Sequence, residues 1–165
     1  MKLAETDKAY LAGLIDGEGC VSIRKWKDKG KYFGYTLCLD IANSNPKLVK
    51  WIVENFGGKI YSYKFKNPNH KIRHDWRIYH QRAADILLTV LPYLVIKKTQ
   101  ALLAIEFRDT FYKGKTAESR ADMVTLRERI IAQMHILNNK GNRQKFPDAP
   151  VLDKEDIMVF SKVNI

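Results

Sequence analysis

The chain reads as a mixed α+β fold of order αββαββα with additional C-terminal helices. Three observations predict it. Two pairs of segments alternate apolar and polar residues with period two, helical-period segments precede, separate and follow these pairs, and 165 residues suit a single domain.

The elements follow in order. Asp7 suits the N-cap of a short apolar helix over residues 8–16, with Gly17 and Gly19 as its breakers. Val21 and Ile23 then alternate with Ser22, Arg24 and Trp26; Leu37, Leu39 and Ile41 alternate with Thr36, Cys38, Asp40 and Ala42. Asp28-Lys29-Gly30 is the expected hairpin turn between them. Asn45-Pro46 reads as a cap followed by proline at the first helical position. Leu48, Trp51, Ile52 and Phe56 repeat at helical spacing until Gly57-Gly58. Residues 60–65 and 72–79 form a second hairpin around a polar, basic turn, and a helix over 82–90 ends near Pro92. Longer helices are expected over 97–111 and 118–137, then a polar stretch with a short helix from Asp153.

Charge gives the first functional clue. Lys and Arg number 29 against 18 Asp and Glu, a net +11 that points to a polyanion, nucleic acid ahead of an acidic membrane. No apolar run approaches the roughly 20 residues of a membrane span, and charges stand where a secretory segment would be apolar, so neither insertion nor export is expected. Cys20 and Cys38 have no metal or disulfide spacing and read as reduced thiols of an intracellular protein. His70, His74, His80 and His135 show no ligand spacing either. Trp51, Trp76 and Phe56 read as core, and Arg127-Glu128-Arg129 as a solvated helix face.

If the apolar side of each hairpin packs on helices, the other sheet face is left open. Ser22, Arg24, Trp26, Thr36, Cys38, Asp40, Ser62, Lys64, Arg73, Asp75 and Arg77 are expected there. Arginine suits guanine and a carboxylate accepts from cytosine, so this face suits base reading as well as plain solvation.

At the end of the first helix stands Leu11-Ala12-Gly13-Leu14-Ile15-Asp16-Gly17-Glu18-Gly19. Ala9, Gly13 and Gly17 fall at i, i+4 and i+8, a stripe that lets a second helix backbone approach closely; a self-complementary stripe favours a two-fold dimer. The nonapeptide resembles the motif of the LAGLIDADG homing endonucleases, with seven of nine positions identical. The resemblance extends through the helix–hairpin–helix–hairpin–helix order, and one motif copy is similar to the homodimeric, intron-encoded branch.

The length suits one domain over residues 1–165, whose core of about 7–112 carries the resemblance, with a helical extension of about 113–165 that is less diagnostic. The resemblance implies a saddle of antiparallel sheet lying in a DNA major groove. The product would be a double-strand break in a long pseudo-palindromic site, which promotes mobility of the encoding intron. Glu18, with Gly17 beside it, would ligate Mg²⁺, with Mn²⁺ or another divalent cation as substitutes. Lys97, with Lys98 as neighbour, matches the family's catalytic lysine, and Asn45 its polar amide, although an N-cap explains Asn45 equally well. Asp16 is expected to order a local loop. The dimer interface would include Ala9, Ala12, Gly13 and Asp16. Where relatives carry a basic residue one turn into the second helix, this chain has Val49, so Lys47 or Lys50 would substitute. The implied partners are double-stranded DNA and a second copy, with no membrane, inside a bacterial cell or an organelle. RNA-splicing maturases and non-cleaving DNA-binding regulators share the scaffold and are the alternatives.

Overall fold

The computed structural model describes residues 3–28, 32–113 and 117–138. The alternating segments and their caps produce α1 (Glu5–Glu18), β1 (Gly19–Asp28), β2 (Tyr32–Asn43), α2 (Pro46–Phe56), β3 (Lys59–Tyr63), β4 (Arg73–Tyr79) and α3 (His80–Val90). A single 3-10 turn over Leu91–Tyr93 leads to α4 (Lys98–Lys113), and α5 covers Ala117–Asn138. The predicted mixed α+β order is therefore present. The expected turn residues Lys29 and Gly30, and everything after residue 138, lie outside the described residues.

The chain divides into two compact units, Met1–Arg108 and Asp109–Ile165. In the first, the strands form one antiparallel sheet in the order β1-β2-β4-β3. Val21, Ile23, Leu37, Leu39, Ile41, Trp76 and Ile78 are buried from the sheet, with Leu11, Ile15, Val49, Ile52 and Leu87 buried from the helices. Continuous burial of that face is what period-two patterning demands. In the second unit, the Arg127 guanidinium donates to Oγ1 and O of Thr110 and lies 4.0 Å from the Phe111 ring centroid. So Arg127, expected on a solvated face, is part of a fixed contact.

Two local readings change. α1 begins at Glu5 on the backbone cap Ala4, which has no side-chain capping bond, so Asp7 sits inside the first turn instead of capping it. Its acidic start still complements the helix dipole. Gly17 does not break the helix, which continues to Glu18. Around α2 the expectation holds: the Asn45 side chain accepts from Lys47 N at 3.0 Å, Pro46 opens the helix, and Gly57 closes it with φ 71°. Gly58 follows at φ 95°, where a Cβ would strike the Trp76 indole. Trp76 in turn donates Nε1–H to Gly57 O at 2.6 Å, tying the end of α2 to β4.

Candidate functional site

Two groups of residues emerge in the first unit, one at the end of α1 and one on the polar face of the sheet.

At the end of α1 the chain grips itself reciprocally. The Asp16 carboxylate accepts from the backbone N–H groups of Val95 (2.8 Å), Ile96 (3.2 Å) and Lys97 (2.8 Å). Lys97 Nζ reaches back to the carbonyls of Ile15 (2.9 Å) and Asp16 (2.5 Å). Burial pushes the Asp16 carboxyl up, but the three backbone donors outweigh it and hold the group below its ordinary 3.8. The ammonium at the carbonyl end answers the negative pole of the helix. Asp16 is thus the loop-ordering group the motif suggested. Glu18 is the last helical residue and is exposed in that same turn.

Asn45 lies elsewhere. With Thr6, Asp7 and Tyr10 of α1 it lines a cavity of about 680 Å³ beside the first half of that helix. Its Oδ1 accepts the cap bond, and Nδ2 has two N–H donors for a further contact. Val49 is buried in the core, which explains why no basic side chain fits there, while Lys47 and Lys50 are exposed and Lys50 faces Glu54 at 3.7 Å. On α1, Ala9, Gly13 and Gly17 are exposed, and a Cβ at either glycine would meet nothing within 4 Å. Ala12 is a correction: it is fully buried and presents nothing outward, because its helix position faces the core beside Leu11 and Ile15.

Strand register fixes the polar sheet face. Cys20, Ser22 and Arg24 pair with Asp40, Cys38 and Thr36; Asp40 pairs with Arg77, and Ala42 with Asp75. On β3, Lys59, Tyr61 and Tyr63 pair with Arg77, Asp75 and Arg73, so they share this face. Ser62 does not: it pairs with His74, on the opposite side, and bonds His74 Nδ1 at 2.8 Å. Lys64 lies beyond the end of β3. The two tyrosines were legible as apolar or polar, and pairing decides the parity. Lys59, Tyr61, Tyr63 and Cys20 are members of this face that sequence reading missed; only the period-two match to Arg73, Asp75 and Arg77 carried a signal.

Exposure on the face is uneven. Arg24 and Trp26 are exposed, but the indole donates to Thr36 Oγ1 at 3.2 Å. Cys38 is 4% and Asp75 1% exposed, so neither is open as expected. Both stand on the inner strands β2 and β4, where neighbours on each side cover them. Burial, and then Asp40, pushes the Cys38 thiol up to about 12; burial also raises Cys20, so both thiols stay protonated. Asp75 accepts from Arg73 Nε at 2.6 Å and from Arg77 Nη2 at 2.7 Å. Partial burial opposes the Arg77 charge, but bonds to Asp75 and Tyr79 outweigh it and keep the guanidinium firmly charged.

Among the described residues no helix is long and apolar enough to cross a membrane, and no three His, Cys, Asp or Glu side chains gather as a metal site.

Comparison with known proteins gives a consistent picture. The family model described as LAGLIDADG endonuclease matches residues 11–103. No curated protein matches the sequence. The fold is similar to the homing endonuclease I-CvuI, solved with the I-CreI target in 2 mM Mg and DNA not cleaved. That likeness has TM-score 0.64 at 16% identity, over 94% of this chain and 92% of that one. The archaeal intron-encoded homing endonuclease I-Vdi141I, complexed with DNA, is similar at TM-score 0.64 and 18% identity, over 94% of both chains. The meganuclease I-SmaMI, bound to uncleaveable DNA, is similar at TM-score 0.56 and 17% identity, over 91% of this chain but 53% of its own. At these identities the likeness concerns the fold.

Proposed function

Because the chain belongs to the LAGLIDADG endonuclease family, we propose that it is a homing endonuclease that binds a long pseudo-palindromic duplex as a homodimer and cuts both strands with a divalent cation. The observation that carries this reading is the last turn of α1. There an exposed acid, Glu18, shares one helix end with an ammonium, Lys97, that two carbonyls hold in place.

A lone exposed carboxylate fits a hard cation that draws its other ligands from phosphate and water, as Mg²⁺ does. Glu18, with the Gly17 carbonyl beside it, would hold that ion, and Mn²⁺ or another divalent cation would substitute. Once bound, such an ion supplies an acidified water and charge neutralisation at the scissile phosphate. The protein's own part is positional. Asp16 fixes the 95–97 loop, the loop fixes Lys97, and the ammonium stabilises charge that grows on a phosphate oxygen. Asn45 Nδ2 remains a candidate for the solvent network, with exposed Lys47 or Lys50 in place of the base that Val49 lacks.

One chain carries one such acid, and two strands need two. The bare face of α1 at Ala9, Gly13 and Gly17 offers a two-fold contact that brings a second Glu18 to the centre. Asp16, half-buried and bound to its own loop, borders that contact. A fold that spans 53% of the I-SmaMI chain fits the same two-copy scheme. We read the whole chain as one endonuclease domain, its core over about 7–112, acting inside the cell on an intron-free copy of its host locus.

The test is cleavage of a plasmid bearing that locus in Mg²⁺. Wild-type protein is expected to linearise it, and Glu18→Gln to slow cutting about a hundredfold or more. Binding with no cut in either Mg²⁺ or Mn²⁺ overturns the nuclease and leaves a DNA-binding regulator; preference for intron RNA points to a maturase.

A further inference from the structure

The segment that joins α3 to α4 is held along α1 mainly by polar bonds. Val95 is 84% and Ile96 67% exposed, and between Tyr93 and Lys97 only Leu94 is buried. An exposed apolar pair gains nothing from the core, so hydrogen bonds decide how this stretch lies.

Its anchors stand at opposite ends of the helix. At one end the Asp16 carboxylate takes the amides of Val95, Ile96 and Lys97. At the other the Tyr93 hydroxyl donates to Glu5 Oε2, while Glu5 Oε1 takes Lys8 Nζ at 2.6 Å. Glu5 and Asp16 lie about 16 Å apart along a helix that rises about 1.5 Å per residue. Glu5 stands in the first turn, where the helix dipole favours its charge, and Lys8 steadies it from one turn on.

The two anchors do different things. Amides that converge on one carboxylate make a pivot: they fix a point of the segment and leave its direction free. A second attachment removes that rotation, and Tyr93 supplies it two residues before the first of those amides. Pro92 has its φ set by its ring, so little slack enters from α3. The direction of the segment in turn sets Lys97, whose Nζ reaches the carbonyls of Ile15 and Asp16 in the turn that carries Glu18.

We propose that Tyr93 is a positioning residue for strand cleavage: through its bond to Glu5 at the start of α1 it aims Lys97 at the end of α1, and it touches neither metal nor DNA. The inference rests on the nuclease reading above and extends that site to the far end of the helix.

The experiment has one arm that needs neither metal nor DNA. Amide hydrogen exchange of the full chain is expected to run about tenfold faster at Val95, Ile96 and Lys97 in Tyr93→Phe than in wild type, with the sheet amides unchanged. The second arm is single-turnover cleavage in Mg²⁺, with duplex affinity measured in Ca²⁺. Tyr93→Phe should slow cutting about tenfold while affinity stays within about twofold of wild type. Glu5→Ala should match it, and Glu5→Gln, which keeps an acceptor, should restore most of the rate. Glu5 is exposed, so Glu5→Ala carries the test if Tyr93→Phe does not fold. A merely structural role would lower cutting, affinity and melting temperature together, with Glu5→Gln no better than Glu5→Ala. That pattern, wild-type exchange at residues 95–97, or a wild-type cutting rate in Tyr93→Phe each overturns the inference and leaves the nuclease reading intact. A wild-type chain that binds its duplex and cuts in neither Mg²⁺ nor Mn²⁺ removes the nuclease reading, and the role given to Tyr93 with it.

Discussion

The two hairpins turn their polar sides to one sheet face, yet they complete it in opposite ways. In the β1–β2 half most polar side chains turn inward: the Trp26 indole donates to Thr36, Cys38 Sγ lies 3.8 Å from Asp40 Oδ1, Cys38 is closed from solvent, and Ser22 Oγ is buried beside it without a hydrogen-bond partner. In the β3–β4 half a buried carboxylate holds two arginines that still reach outward, framed by Tyr61 and Tyr63. The same alternation thus yields a largely closed surface on one side, with Arg24 standing out of it, and a loaded one on the other. Polar periodicity marks a face; what the groups across the register offer each other decides whether that face is available to a partner.

The largest effects should come from comparing the two halves on DNA. Arg77 is pinned, whereas Arg24 stands exposed opposite Thr36. Arg77→Ala is expected to lose about 1–3 kcal/mol of discrimination at particular base pairs. Arg24→Ala should lose less, and more evenly across sequences, because an unpinned arginine is equally able to take a phosphate. Competition binding against single-base variants of the target site measures both. Equal, position-specific losses at the two arginines would erase the distinction between the halves.

Next comes the packing of the quieter half. Trp26 and Gly34 are register partners, and a Cβ at Gly34 would strike the indole ring. Gly34→Val should therefore push the ring off the sheet and break its bond to Thr36, at a cost of about 1–2 kcal/mol. The half-exposed ring gives partial relief, which keeps the figure below that of a core clash. A melting temperature equal to wild type would show that the indole contributes nothing by lying there.

Much of this was legible in the sequence where a signal is local. Asn45-Pro46 and Gly57 delimit α2 through backbone requirements of single residues, and the structure follows them. Asp16 was readable as a loop-ordering group, while the atoms it orders, the amides of residues 95–97, lie about eighty positions away and no spacing rule reaches them. Ser62 failed for a different reason. Tyrosine suits either side of a strand, so the parity of β3 stayed ambiguous until pairing with β4 put Tyr61 and Tyr63 beside the arginines. The burial of Asp75 and Cys38 was out of reach as well, since it depends on the order β1-β2-β4-β3 and not on either strand alone.

The smallest effect separates two aspartates with opposite shifts. Burial raises Asp40, on β2, above its ordinary 3.8, with Arg77 opposing and the Asp75 charge adding to the rise; Asp16 is lowered by its amide donors. A raised carboxyl binds its proton more tightly in the folded chain than in the unfolded one. Its effect on stability is therefore nil below 3.8 and becomes a growing cost as pH climbs from there through the folded value. Asp16 works in the reverse sense: its stabilisation is complete above 3.8 and fades as pH falls through its lowered value. Asp40→Asn should then match wild type in melting temperature below pH 3.8 and exceed it slightly at neutral pH. Asp16→Asn should fall below wild type at neutral pH and approach it in acid. Difference melts of each variant against wild type cancel every other titrating group. An Asp40→Asn difference that is flat with pH would mean that this carboxylate is as well solvated as one on open surface, and one that grows toward acid would mean that Arg77 and Arg24 outweigh its burial.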